Sequence, residues 1–308
     1  MATTTSITTT YAGEFAGKYI AAALLSGTTL DKGLIEIKPN VKYKEVIKKV
    51  ATDGIVKNAT CDFDPTSTLT LTERILQPEE FQVNLQLCKK DFRSDWEAIQ
   101  MGYSVYDNLP ANFTDFLIAH VAEKVAQKIE QNIWAGVNAS AGEFDGFTTL
   151  FAADSDVIDV TATTVTAANV VDQLGRVVDA IPSTLYGKED LTIYVPQNVA
   201  KAYVRALGGF AASGVGANGV DNKGTMWYGQ GDLNFDGIRV AMVNGLPSNK
   251  MVATQASNLY FGTGLLSDHN EVKVLDLSDV DGSQNIRIVM RFTAGVQYGF
   301  GSEVVLYA

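Results

Sequence analysis

PANFTDFLIAHVAEKVAQKIEQNIWAGV, residues Pro110–Val137, is the longest helical pattern in the chain. Phe113, Leu117, Val121, Val125, Ile129 and Ile133 recur every four residues, with Ile118, Ala122 and Ala126 beside them. That spacing overshoots the 3.6-residue turn, so the apolar stripe drifts around the helix and predicts contact from more than one side. Pro110 suits the entrance, Asn112 or Thr114 supplies a capping oxygen, and Gly136 suits the exit. About 24 of these residues at 1.5 Å each make a rod of roughly 36 Å. Almost everything around it reads as strand, turn or loop, so the rod is the expected backbone of the architecture.

The 308 residues are 46% hydrophobic and 19% charged, a foldable composition with room for one large domain or two moderate ones. A formal net charge of −11 argues against a protein whose main task is gripping nucleic-acid phosphates. No apolar run reaches the roughly 18 residues that a membrane helix needs. The threonine-rich start, MATTTSITTT, reads as a flexible arm and lacks the basic region and apolar core of a secretory leader. Cys61 and Cys88 are far apart and unpatterned, which reads as two free thiols in a reducing compartment.

Upstream of the rod, Tyr11–Leu25 predicts a short helix that docks on the main body or on a neighbouring subunit. Leu34–Val50 alternates in two patches and predicts a strand, with Thr52-Asp53-Gly54 as a turn. Thr68–Leu76 and Phe81–Leu87 alternate strongly. The block from 38 to 89 is thus β-rich with little apolar mass, a protruding arm or an edge added to a larger sheet. Asp91–Tyr106 predicts a short helix leading into the rod.

Downstream, Glu143–Leu150 reads as a turn and Val157–Val165 as a polar strand region. Ala167–Ile181 predicts a helix stopped by Pro182, Leu191–Val195 a buried strand, and Val199–Leu207 a helix opened by Pro196-Gln197-Asn198. Residues 208–234 are glycine-rich and aperiodic, one long loop. Ile238–Val243, Met251–Thr254 and the apolar Leu259–Phe261 follow, then three long strands at Glu271–Leu277, Ile286–Phe292 and Gly295–Tyr307. Helices in the middle and an antiparallel run at the end predict an α+β fold.

Chemistry is sparse. Gly214-Val-Gly-Ala-Asn-Gly219 fits a dinucleotide fingerprint, but neither the strand before it nor the helix after it is present, so it reads as a flexible loop. The two histidines, His120 in the rod and His269 in a turn, stand apart. No cysteine–histidine group has metal-ligand spacing and no serine sits in a nucleophile elbow. Asp276, Asp279 and Asp281 with Gly282 read as a hairpin turn, and Asp154, Asp156 and Asp159 as a solvated loop. No catalytic residue, cofactor or metal is therefore expected. Lys44, Lys48, Lys49 and Lys57 form the densest basic cluster, with Lys42, Lys44 and Lys48 on one strand parity. They either protect an exposed edge or meet acidic surface on a neighbouring copy. Elements that cannot satisfy themselves point to an assembly protein, completed by other copies.

This ordered set of elements resembles the major capsid proteins of tailed double-stranded-DNA bacteriophages, the Hong-Kong-type shell fold shared with encapsulins. Phe144-Asp-Gly-Phe147 resembles the turn after the spine helix of such proteins, and Phe235–Val240 with Gly245-Leu246-Pro247 resembles the return strand and turn of their axial domain. The resemblance implies an N-terminal arm (1–37), an extended β-hairpin loop (38–89), a peripheral domain (90–166 and 259–308) with spine helix 110–136, and an axial domain (167–258). It implies a major capsid protein of the virion, assembled in the host cytoplasm. Such a protein forms pentamers and hexamers of an icosahedral head around double-stranded DNA. Portal, scaffold and decoration proteins are further implied partners, and no membrane is. Lys44, Lys48, Lys49, Lys57, Phe210 and Trp227 become candidates for inter-subunit contact. Lys124 and Lys128, one turn apart on the rod, become candidates to face DNA. Deleting residues 45–70 is expected to leave a folded subunit that assembles poorly. An encapsulin-like compartment, a tail or fibre protein, and a nucleotide-binding enzyme using Gly214–Gly219 are the alternatives.

Overall fold

The computed structural model describes residues 28–52, 54–59, 61, 69–88, 111–207, 233–264, 273–277 and 282–308. The expected helices Tyr11–Leu25 and Asp91–Tyr106 lie outside these residues. So do His269, Asp279, Asp281 and the glycine-rich stretch with Phe210, Gly214–Gly219 and Trp227, together with the side chains of Asn112 and Thr114.

A four-residue helix, Thr28–Asp31, opens the described chain. Strands β1 (Glu36–Lys38), β2 (Glu45–Thr52), β3 (Leu69–Leu76) and β4 (Glu79–Cys88) precede the long helix Ala111–Ala135. A short helix, Phe147–Ala152, leads to β5 (Ile158–Val160), and helix Val170–Asp179 leads to β6 (Leu191–Val195). Helix Gln197–Leu207 follows, then β7 (Leu233–Phe235), β8 (Ile238–Met242), β9 (Met251–Gln255) and β10 (Leu259–Gly262). The chain ends with β11 (Lys273–Asp276), β12 (Asn285–Tyr298) and β13 (Val305–Tyr307). The mixture is α+β, as the sequence predicts.

Two compact units share these elements. The first draws on Glu80–Lys128 and Leu265–Thr293. In it β4 and β11 pair with the first part of β12, with Lys273 opposite Val289 and Asp276 opposite Ile286. Ile286, Ile288, Met290 and Phe292 are buried while Arg287 and Arg291 are exposed, the alternation of a sheet covered on one face. Phe81 packs on Phe292 with ring centroids 5.7 Å apart.

The second unit draws on Gly27–Glu79, Ile129–Gly264 and Ala294–Ala308. Its core is a six-stranded sheet in the order β5-β13-β9-β6-β8-β7. Every residue of β6 is buried, which explains its continuous apolar run. Val170, Leu174, Val177 and Val178 form the buried face of helix Val170–Asp179, which packs on β9, β13 and helix Gln197–Leu207. Asp236 (φ 49) and Gly237 (φ 80) make the two-residue turn between β7 and β8. A second sheet joins β1 in parallel to β10, and β10 antiparallel to the end of β12.

The end of the long helix explains its drifting stripe. Ile129, Glu130, Asn132, Ile133 and Trp134 are all buried, so most of the circumference is covered. Glu123, Lys124, Lys128 and Gln131 remain as one exposed strip. Buried Glu130 is satisfied by the short helix at the start: the Thr29 N–H (3.1 Å) and hydroxyl (2.5 Å) donate to its carboxylate. Trp134 Nε1 donates to the same threonine at 2.9 Å. The helix does stop before Gly136, but not through a left-handed residue, since Gly136 is absent from the positive-φ glycines. A Cβ there would overlap the Phe144 carbonyl oxygen, so the reason is close backbone approach.

Four expectations need correction. Leu34–Val50 is two strands, because Pro39 and Asn40 (φ 65) break it. Lys42 and Lys44 therefore lie in the connection and share no strand parity with Lys48. Glu143–Leu150 is not all turn, since Phe147 starts a helix that buries Phe147, Thr148 and Phe151. The last three strands are not one set: β12 runs unbroken through Thr293-Ala294, and β13 joins the six-stranded sheet, antiparallel to β9 and parallel to β5. The break falls at Gly299–Glu303, where Gly301–Glu303 is a single 3₁₀ turn.

Candidate functional site

The most exposed apolar surface among the described residues is the β2–β3 ribbon. The two strands form a sheet of their own, with Glu45 opposite Leu76 and Thr52 opposite Leu69. Residues opposite each other share a face, and alternate pairs share the same face. One face therefore carries Val46/Ile75, Lys48/Glu73, Val50/Leu71 and Thr52/Leu69. Its aliphatic members lie open, from Val46 at 43% to Leu71 at 64% exposed. The other face carries Glu45/Leu76 and Ile47/Arg74 at the root, where Leu76 is fully buried. A two-stranded ribbon with one open apolar face is marginal in water, so this face calls for a cover.

The lysines do not make one cluster. Lys48 is exposed and sits opposite Glu73 in the middle of the apolar face. Lys49 is in the same strand, opposite Thr72. Lys44 is exposed before β2, with its ammonium 5.2 Å from the Tyr43 ring, and exposed Lys57 lies past the far end of β2. Eight residues at about 3.3 Å each separate the two ends by roughly 26 Å, so the charge is a ladder along the ribbon. Lys124 and Lys128, one turn apart on the long helix, are both exposed.

Side chains hold the ribbon's root. Arg74 Nε donates to the Gly299 carbonyl at 3.0 Å, and the guanidinium also donates to Asp154 and lies 4.1 Å from the Tyr298 ring centre. Tyr298 donates its hydroxyl proton to Asp154 at 2.6 Å, and the Asp156 N–H donates to the same carboxylate at 3.0 Å. Asp154 is thus no solvated loop residue, contrary to the sequence reading. Burial alone would raise its carboxyl, but Tyr298, the Asp156 N–H and the Arg74 guanidinium outweigh that and lower it to about 2. Burial, and the carboxylate that accepts its proton, push the Tyr298 phenol up. On the other strand, Lys38 pairs with Glu45 at 3.7 Å and with Glu36 at 3.3 Å, all partly exposed.

Two glycines complete the seat. Gly262 and Gly295 are direct partners on β10 and β12. A Cβ on Gly262 would press on the Leu76 side chain at 2.9 Å, and one on Gly295 would meet the Pro78 backbone at 2.9 Å. Gln297 Nε2 donates to the Ile75 carbonyl at 3.1 Å. Residues 295, 297 and 299 thus face the root one after another, from Pro78 back to Arg74. Sequence reasoning missed this seat. Its only local signal was glycine inside a strand pattern, which marks close backbone approach.

Among the described residues no histidine, cysteine, aspartate and glutamate group would hold a metal, and no helix is long and apolar enough to cross a membrane. Cys61 is exposed, Cys88 half-buried, and both are free thiols.

No protein-family model matches the sequence, and no characterised protein matches it at the level of sequence. Solved structures do match in fold. The capsid of the native GTA particle covers 94% of this chain and 92% of its own at 11% identity, with a TM-score of 0.63. The capsid of Myoviridae phage XM1 covers 94% of each chain at 10% identity and a TM-score of 0.61. A chain of Mycobacterium phage Che8 covers 100% of this one and 95% of its own at 14% identity and a TM-score of 0.52. The likeness spans the whole order of elements at identities that leave only the fold in common, and the chain therefore has the Hong-Kong-type α+β fold of tailed-phage capsid proteins.

Proposed function

We propose that this chain is a non-enzymatic major capsid protein. In this reading copies of it form pentamers and hexamers of an icosahedral head that encloses double-stranded DNA, and it resides in the virion after assembly in the host cytoplasm. One observation supports it above the fold likeness: the β2–β3 ribbon presents an open apolar face that the described residues of its own subunit leave uncovered. A neighbouring copy is the cover that a closed assembly supplies everywhere at once. Burying that face contributes about 25 cal/mol per Å² of apolar surface.

Residues 38–89 are then the extended loop, 90–166 with 259–308 the peripheral domain, 167–258 the axial domain and 1–37 the arm. Lys44, Lys48, Lys49 and Lys57 along the ribbon, with Phe210 and Trp227 in the axial loop, make contact between subunits. Lys124 and Lys128, exposed on the rod, meet packaged DNA weakly, which suits a container with net charge −11 that must let its contents go. Portal, scaffold and decoration proteins would be the further partners. Electron microscopy of the purified chain tests the reading: closed hollow particles with five- and six-fold capsomers are expected. Soluble monomers at every concentration and salt condition would sink it.

A further inference from the structure

We propose that Arg74, Asp154 and Tyr298 form a lock that sets the direction in which the β2–β3 ribbon leaves its seat, and that the Gly262–Gly295 pair is the close-packed bed that sets where its root rests. The use of that direction in shell assembly rests on the reading of the ribbon as an inter-subunit arm.

Among the described residues β3 exchanges ladder hydrogen bonds with β2 alone, so no sheet must be torn to move the ribbon. Side chains carry the attachment: Arg74 to Gly299 and Asp154, and Gln297 to Ile75. Leu76 is fully buried at the base of the ribbon. Beneath it Gly262 and Gly295 present bare backbone on which the Leu76 side chain and the Pro78 backbone seat closely, each within 2.9 Å of where a Cβ would stand.

The hold is one-sided. Arg74 makes three contacts at once, to a carbonyl, a carboxylate and a ring face, and Asp154 is oriented by two further donors. The Arg74 and Asp154 side chains are 27% and 17% exposed, whereas Glu45 on the other strand and its partner Lys38 on β1 are 39% and 30% exposed and Lys38 is shared with Glu36. A pair held by several further hydrogen bonds outweighs a half-exposed salt bridge at 3.7 Å whose lysine is shared. Opening the β3 side therefore widens the ribbon's spread of directions, while the Val41 N–H, donating to the Thr263 carbonyl at 3.0 Å, still tethers the chain that enters β2.

Spin labels at Thr52→Cys on the ribbon and Asp172→Cys on helix Val170–Asp179, in a Cys61→Ser, Cys88→Ser background, read the angle directly. Labelled full-length chain is diluted into unlabelled chain so that only distances within one subunit are seen. A single narrow distance peak is expected for this background. Asp154→Asn, Tyr298→Phe and Arg74→Gln each broaden it to at least about twice its width, while Lys38→Gln leaves it unchanged. Gly295→Ala moves the peak without broadening it, because the new methyl displaces the Pro78 backbone. Hydrogen exchange at Leu191–Val195 stays protected in every variant. Unchanged widths in the three lock variants would overturn the lock, as would broadening that comes with lost protection of that strand, and equal broadening by Lys38→Gln would overturn its one-sidedness. An unmoved peak in Gly295→Ala would overturn the bed. Particle formation is scored separately by microscopy, so a chain that never assembles sinks the capsid reading and leaves the lock standing.

Discussion

At the scale of single residues, Asp154 shows how a side chain's environment replaces its sequence context. Between Ala153 and Ser155 it reads as a loop aspartate, yet it is held by Arg74, 80 residues upstream, and Tyr298, 144 residues downstream. The groups facing it are Arg74 from β3, Tyr298 from β12 and the Asp156 N–H from its own loop. Its carboxyl falls from 3.8 to about 2 on folding, so the folded state favours the ionised form. A depressed carboxylate stabilises fully above its unfolded value and loses that contribution as pH drops through the folded value. The stability advantage of the parent over Asp154→Asn should thus be constant above pH 4 and shrink towards pH 2. Thermal unfolding across that range measures it, and a gap that stays level down to pH 2 would contradict the assignment. Gly136 and Gly295 carry a related lesson. Neither needs positive φ; each is glycine because another backbone passes where a Cβ would stand.

Among the elements, the long helix and the ribbon were legible for different reasons. A four-residue apolar spacing states that a helix is wrapped, and burial of Ile129, Glu130, Asn132, Ile133 and Trp134 realises it. Strict alternation in Thr68–Leu76 states that a strand has two unlike faces. It does not state that the aliphatic face is the open one, which is decided by Leu76 and Arg74 taking the seat. That inversion yields a prediction. Val50→Lys with Leu71→Glu places opposite charges on directly paired residues of the open face. The subunit's melting temperature should hold, while assembly followed by light scattering should fall sharply. Assembly as fast as the parent's would show that this face is not buried between copies.

For the whole molecule, the same anatomy refines which part of the hairpin is dispensable. Leu76 is core and Arg74 is bound to Asp154 and Gly299, so the cut belongs at residues 47–73 rather than 45–70. Replacing 47–73 with a short glycine–serine linker should leave cooperative unfolding intact and abolish particles; loss of cooperative unfolding would mean the ribbon is part of the subunit core. The sequence alone determined the elements with local periodicity: the rod, the helices near 170–179 and 197–207, the buried strand Leu191–Val195 and the alternating strands. It determined the α+β class as well, because 3.6- and 2-residue periods depend on neighbours a few positions away. Only the tertiary structure decided that β13 leaves β12 for the six-stranded sheet, that Gly262 and Gly295 stand side by side, and that Arg74, Asp154 and Tyr298 meet. Those outcomes are contacts between residues far apart in the chain, which no local pattern encodes because the chain between them sets no period linking their side chains.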